Sequence, residues 1–181
     1  IVPRTSGAGG FTLFTPSEEQ LETGMYSKRY LCGELAVALG GRVAEEIVYG
    51  KDGITTGASN DLQQVREIAR RMVTQYGFAD DAMGNAPVAW ESPDGRYGMD
   101  RHTMSADTER EIDEQVKKLV KDAYDTTYTV LSKNRALLDA LVDQLVTEET
   151  LDYNQLQKIC AEYVASPYTC TSQSEDGSIE R

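Results

Sequence analysis

The sequence predicts a mainly α-helical protein with a small β element near its N-terminus, and two observations carry that prediction. Apolar residues recur at helical spacing over most of the chain between residues 28 and 163. Before them, glycines at positions 7, 9 and 10 precede a short run of β-prone residues that ends at Thr15 and Pro16. The 181 residues are enough to bury a core in one or two domains.

The first 16 residues indicate two short strands joined by the glycine-rich turn. The second strand is predicted to consist of Gly10, Phe11, Thr12, Leu13 and Phe14. An exposed strand of this kind can bind an extended peptide by pairing with it at the sheet edge. A plain structural hairpin explains the same pattern, and the residues alone leave both interpretations open.

A first helix is predicted to begin near residues 26–28 and to end at Gly50. Its stripe at helical spacing includes Leu31, Leu35, Ala38, Leu39, Arg42, Val43, Glu46 and Ile47. Gly40 and Gly41 interrupt this helix, and each costs about 1 kcal/mol relative to Ala in a helix interior. We therefore expect a neighbouring element to approach the helix backbone closely at these glycines.

A second helix is predicted to begin near Ser59 or Asn60, both good N-caps, and to end near Gly77. Asp61 falls in its first turn, where a carboxylate interacts favourably with the helix dipole. That explanation is sufficient by itself. The concentration of polar residues around apolar helices also makes Asp61 a candidate metal ligand, and the residues leave both interpretations open.

The remainder of the chain divides into a loop region, a helical region and a tail. Residues 78–104 are rich in turn formers and contain the single histidine, His102, which we interpret as a solvated side chain. A helix is predicted from Ser105 or Asp107 to Asn134, followed by a second helix and a short third one. Residues 105–164 are expected to form core and packing surface, and residues 165–181 a disordered polar tail outside the domain at 1–164.

The charge of the chain limits its partners. It has 18 basic and 30 acidic residues, a net charge of −12, which argues against a nucleic-acid partner. No run approaches the roughly 18 apolar residues of a membrane span. Three scattered cysteines fit a reducing compartment better than a disulfide framework.

Several of these motifs together resemble the peptidase domain of FtsH, a family of membrane-anchored, ATP-dependent zinc metalloproteases of bacteria, mitochondria and chloroplasts. The resemblance rests on residues 39–46 (LGGRVAEE), 55–61 (TTGASND), 69–73 (ARRMV) and 76–78 (YGF). It extends from residue 1 to about residue 164. The sequence of residues 35–46 is most similar to that of chloroplast and cyanobacterial members. This resemblance implies that the parent protein lies at the stromal face of the thylakoid, with bacterial or mitochondrial inner membranes as alternatives.

The resemblance implies a role for three parts of the sequence. Asp61 matches the third zinc ligand, which acts beside the two histidines of an H-E-x-x-H helix whose glutamate is the general base. Glu45 matches a carboxylate near the site, with the role of orienting a histidine ligand or the metal shell; an ion pair with Arg42 is the alternative. Residues 10–14 match an edge strand that holds unfolded substrate beside the cleft.

One departure from the family pattern is large, because the sequence contains no H-E-x-x-H. In the family that motif precedes the strand matched by residues 1–4, as do an AAA module that binds ATP and Mg²⁺ and a membrane anchor. We expect the chain to be a fragment of a complete protease, or else to come from a catalytically inactive scaffold subunit. We also expect assembly into a homo- or hetero-hexamer, and expect this polypeptide by itself to bind no stoichiometric zinc and to hydrolyse nothing.

Overall fold

The computed structural model describes residues 24–79, 87–91 and 104–163, and within these ranges the regular structure is entirely helical. The α-helices are α1 (Lys28–Tyr49), α2 (Ser59–Thr74), α3 (Ala106–Lys133), α4 (Arg135–Glu148) and α5 (Tyr153–Tyr163). A 3₁₀ turn, Lys51–Gly53, follows α1. The mainly helical prediction is thus confirmed, whereas the predicted strand at residues 10–14, His102 and the predicted tail lie outside the described residues.

Two helices begin and end where the sequence predicted. Ser27 caps α1, because its Oγ accepts a hydrogen bond from the Tyr30 amide at 3.1 Å, and Gly50 ends that helix with a φ of +76°. Ser105 caps α3 through the Thr108 amide, also at 3.1 Å. Asn134 ends α3, and its side-chain amide donates to the carbonyl of Val130 at 2.9 Å.

The start of α2 differs from the prediction that Ser59 or Asn60 would be its N-cap. Ala58 occupies the N-cap position, and Ser59 is the first helical residue. The Ser59 hydroxyl donates to the carbonyl of Thr56 at 2.8 Å, so it stabilises the preceding turn instead of the helix amides. At the other end, Gly77 has the left-handed φ of +64° that the sequence predicted, but it lies two residues after the C-cap Gln75 instead of directly after it.

The hydrophobic core lies between α1, α2 and α3. Its buried members are Leu31, Leu35, Leu39, Val43, Val65, Ile68, Ala69, Met72 and Ala123. Two side-chain hydrogen bonds join α3 to α1: Tyr124 donates to Glu46 at 2.8 Å, and Thr127 donates to the carbonyl of Ala36 at 3.1 Å. Each fully buried Leu or Met contributes about 1.5–3 kcal/mol relative to an exposed one, so this core fixes the relative positions of the three helices.

Helices α4 and α5 lie outside this core, and neither contains a buried residue in the described part of the chain. They pack against each other, with Leu151 buried in the connection between them. Of the region predicted to form core and packing surface, α3 supplies residues to the core shared with α1 and α2, and Leu151 is buried beside α4 and α5. None of the described helices combines the length and the hydrophobicity needed to cross a bilayer.

The close approach expected at Gly40 and Gly41 is not found among the described residues. A Cβ built on either glycine has no described heavy atom within 4 Å, apart from its neighbours in the chain and the backbone of α1 itself. Gly41 is exposed, because α2 and α3 cover the opposite face of α1. These glycines therefore serve no packing role against the helices that the structure describes.

Candidate metal-ligand site

Asp61 lies in the first turn of α2 and is exposed. Within the described residues its carboxylate has no hydrogen-bond or ion-pair partner. One turn further along α2, Val65, Ile68 and Met72 are buried in the core and hold the body of the helix in place. The fold therefore presents an exposed carboxylate with unused acceptor positions on a helix that the core fixes.

The turn before Asp61 directs the chain into α2. The Thr55 hydroxyl accepts a hydrogen bond from the Gly57 amide at 3.2 Å. Ala58 is buried, and its carbonyl accepts the first helical hydrogen bond from the Leu62 amide at 3.0 Å. The conformation of residues 55–58 consequently decides where α2 begins.

Glu45, near the end of α1, holds this turn through both of its carboxylate oxygens. Oε2 accepts from the Thr55 amide at 3.0 Å, and Oε1 accepts from the Thr55 hydroxyl at 2.6 Å. These two bonds, the hydroxyl one first, lower the pKa of Glu45 below its ordinary value of 4.5. The carboxylate is thus ionised at neutral pH, and its hydrogen bonds are of the strong, charge-assisted kind.

The neighbouring Glu46 points to a different partner. It accepts a hydrogen bond from the Tyr124 hydroxyl, which raises the pKa of that tyrosine above its ordinary value of 10.0. Lys51 lies 4.0 Å from the same carboxylate. Glu46 therefore ties α1 to α3, while Glu45 ties α1 to the turn before Asp61.

The alternative role for Glu45, an ion pair with Arg42, is not present among the described contacts. No nitrogen of Arg42 lies within 4.0 Å of the Glu45 carboxylate, and Arg42 has only a minor influence on its pKa. No hydrogen bond joins Glu45 directly to Asp61 either. Within the described residues, the link between these two predicted site residues runs through Thr55 and the turn.

The residue that sequence reasoning missed is Thr55. Thr55 and Thr56 are adjacent and chemically identical, so the sequence contains no signal that distinguishes them. In the structure Thr55 bonds Glu45 with both its amide and its hydroxyl, whereas no described hydrogen bond involves the Thr56 hydroxyl.

The donor set in the described residues fits one part of a zinc site. A catalytic zinc takes three protein ligands and leaves one position for water. Nowhere in residues 24–79, 87–91 and 104–163 do three His, Cys, Asp or Glu side chains come together in a way that could hold a metal. Asp61 fits as a single oxygen ligand whose companions come from elsewhere.

Comparisons with known proteins agree with the family resemblance. The model of peptidase family M41 matches residues 1–159. The chain is 47% identical over 166 residues to the ATP-dependent zinc metalloprotease FtsH 3 of Synechocystis sp., which covers 89% of this chain and 26% of the relative. It is 38% identical over 180 residues to the chloroplastic ATP-dependent zinc metalloprotease FTSH of Nicotiana tabacum, covering 97% of this chain and 25% of the relative.

A helical domain that presents an exposed carboxylate, matches a peptidase family and has relatives named zinc metalloproteases belongs to the class of metallopeptidase domains. More particularly, this chain belongs to peptidase family M41, and its matched relatives include FtsH proteins of cyanobacteria and chloroplasts. The chain spans about a quarter of the length of the curated relatives it matches.

Proposed function

We propose that this chain is the part of an FtsH-type peptidase domain that supplies the aspartate ligand of a catalytic zinc, and that Asp61 is that ligand. The observation that supports this best is the exposed carboxylate of Asp61, which has no described protein partner and lies in the first turn of α2, a helix whose body is held by the core. A bound zinc would act as a Lewis acid and lower the pKa of its water.

The proposal divides the site between this sequence and residues beyond it. Asp61 contributes one oxygen ligand, and an H-E-x-x-H helix elsewhere in the parent protein contributes two histidines and the glutamate that removes a proton from water. The 181 residues by themselves are proposed to bind no stoichiometric zinc and to hydrolyse no peptide. Without the two histidines, Asp61 is the single remaining ligand, and one carboxylate does not bind zinc tightly.

The proposed activity of the whole protein is ATP-dependent degradation of unfolded or damaged proteins. The names of the relatives, which include "ATP-dependent" and "chloroplastic", support this setting. ATP and Mg²⁺ would bind an upstream AAA module, and an upstream anchor would place the protein at a thylakoid or bacterial membrane. A homo- or hetero-hexamer is proposed as the assembly, and an edge strand at residues 10–14 as the substrate contact.

The test uses the full-length protein that contains this chain. Asp61→Asn keeps the size of the side chain but removes its charge, so we expect the zinc content to fall well below one per chain and casein hydrolysis to fall by about a hundredfold or more. Asp52→Asn, an exposed carboxylate in the 3₁₀ turn, is the matched control and should change neither.

Full zinc content and full proteolysis in Asp61→Asn would refute the proposed ligand role. The scaffold alternative makes a different prediction. In a catalytically inactive subunit, Asp61→Asn leaves the activity of a mixed assembly unchanged, and the wild-type subunit alone shows no zinc-dependent proteolysis.

A further inference from the structure

We propose that Glu45 and Thr55 form a positioning pair that sets the place of Asp61 relative to the metal. This inference rests on the proposed function, because it concerns how the chain holds the ligand assigned there. The family resemblance implied that Glu45 orients a histidine ligand or the metal shell. In this proposal Glu45 instead holds the turn before α2, and Thr55 is the residue through which it does so.

The first step is the chain of hydrogen bonds between α1 and the turn. The Thr55 hydroxyl has one proton, which it donates to Glu45 Oε1 at 2.6 Å, and a lone pair that accepts the Gly57 amide at 3.2 Å. The Thr55 amide donates to the other carboxylate oxygen at 3.0 Å. One carboxylate on α1 thereby fixes the backbone at both residue 55 and residue 57.

The second step is that burial does not locate the first turn of α2. Residues 59–62 are all exposed, and the first core residue of the helix after Ala58 is Val65. Helix ends fray where neither packing nor capping holds them, and no side chain caps this helix. Besides the buried Ala58, the two hydrogen bonds from Thr55 to Glu45 hold the turn before Asp61 against another helix.

The third step is how closely the turn approaches the carboxylate. A Cβ built on Gly57 would lie 3.2 Å from Thr55 Oγ1 and 3.8 Å from Glu45 Oε1. The backbone at Gly57 thus lies directly over the pair, one residue before the N-cap Ala58. A shift of Thr55 moves this backbone and the start of α2 with it. A displacement of about 1 Å at a ligand is enough to weaken a preorganised site.

The test compares three variants of the full-length protein. Thr55→Val has nearly the same shape but no hydroxyl, and we expect its zinc affinity, measured by competition with a chelator, to fall about 10- to 100-fold. Thr55→Ser restores the hydroxyl and should return the affinity to within about threefold of wild type. Thr56→Val removes a hydroxyl that has no described hydrogen bond and should leave the affinity unchanged.

A spectroscopic readout separates positioning from general stability. Cobalt(II) replaces zinc, and its visible absorption reports the geometry of the ligands. We expect the Thr55→Val spectrum to be displaced or weakened and the Thr55→Ser and Thr56→Val spectra to match wild type. If Thr55→Val does not fold, Glu45→Gln, which keeps one oxygen acceptor, is measured in its place.

Unchanged zinc affinity and an unchanged cobalt spectrum in a folded Thr55→Val would overturn the inference. Equal loss in Thr56→Val, or failure of both Thr55→Val and Glu45→Gln to fold, would also overturn it, because the contact would then support the whole domain. The result for Asp61→Asn keeps the two proposals apart. If Asp61→Asn loses zinc while Thr55→Val retains it, only the positioning role fails; if Asp61→Asn retains zinc, the ligand role fails.

Discussion

At the scale of single residues, the two adjacent glutamates near the end of α1 have separate tasks. Successive helical residues point about 100° apart, so Glu45 and Glu46 cannot face the same neighbour. Glu45 bonds the turn before Asp61, and Glu46 bonds Tyr124 of α3. The difference between them comes from the rotation of one helix, which is set by its core face.

The lowered pKa of Glu45 predicts how stability depends on pH. A carboxyl group whose pKa is lower in the folded protein stabilises the fold above its ordinary pKa, here 4.5, and loses that contribution as the pH falls through the lowered value. We expect wild type to be more stable than Glu45→Gln at pH about 7 and expect this difference to shrink towards pH about 3. Denaturant unfolding of both proteins over this range measures it.

A difference in unfolding free energy that stays constant or grows on acidification would contradict this prediction. Asp52→Asn serves again as the control, because this exposed side chain has no described partner whose loss could imitate the effect.

At the scale of helices, the sequence predicted those ends that a local side chain determines. Ser27 and Gly50 of α1, and Ser105 and Asn134 of α3, were identified from residue type alone because capping acts within three or four residues. Helix α2 begins at Ser59, near where the sequence predicted, but the predicted N-cap was wrong, since Ala58 holds that position and the Ser59 hydroxyl bonds the preceding turn. A serine hydroxyl can either accept a hydrogen bond from a helix amide or donate one to a carbonyl of the preceding turn. The sequence does not show which of these groups lies within reach of the hydroxyl.

The candidate site, like the helix ends, could be predicted only in part from the sequence. The place of Asp61 in the first turn of α2 follows from the helical pattern and is confirmed. The importance of Glu45 came only from the family resemblance. Its contact with Thr55 was not foreseen, because the partner lies across a bend of the chain where no periodic pattern applies.

Replacing glycine by alanine should have opposite effects on stability inside a helix and after its end. At Gly77 the left-handed backbone and a Cβ only 3.1 Å from Pro87 Cβ oppose a side chain, so we expect Gly77→Ala to lower the unfolding free energy by about 1–2 kcal/mol. Gly41→Ala lies inside α1 with open space among the described residues, and we expect it to raise stability by about 0.5–1 kcal/mol. Denaturant unfolding of both variants measures the two effects.

A destabilised Gly41→Ala would show that another part of the protein approaches α1 at this point, as the sequence pattern first indicated. A neutral Gly77→Ala would show that the turn after α2 relaxes without cost.

At the scale of the whole molecule, the described part contains a packed unit and a loosely attached one. Helices α1, α2 and α3 share the buried core, whereas α4 and α5 contain no buried residue. A weak hydrogen bond from Arg135 to the carbonyl of Ile47, at 3.5 Å, is one of few contacts between α4 and the core unit. Asp61 lies on α2 and therefore belongs to the packed unit.

Hydrogen exchange should report this division. We expect amides in the middle of α4 to have protection factors at least about tenfold lower than amides in the middle of α2, because α4 can open without disturbing the core. The two helices have 14 and 16 residues, so fraying at their ends affects both similarly. Equal protection would mean that all five helices open together.

The contact between Glu45 and Thr55 also has a consequence for the order of events during synthesis. It spans ten residues, whereas the bonds that join α3 to α1 span 78 and 91. A loop of about ten residues closes in roughly 10–100 ns, far faster than a ribosome adds the next amino acid at about 5–20 residues per second. The bend that presents Asp61 can therefore begin to form on the nascent chain before α3 has been translated.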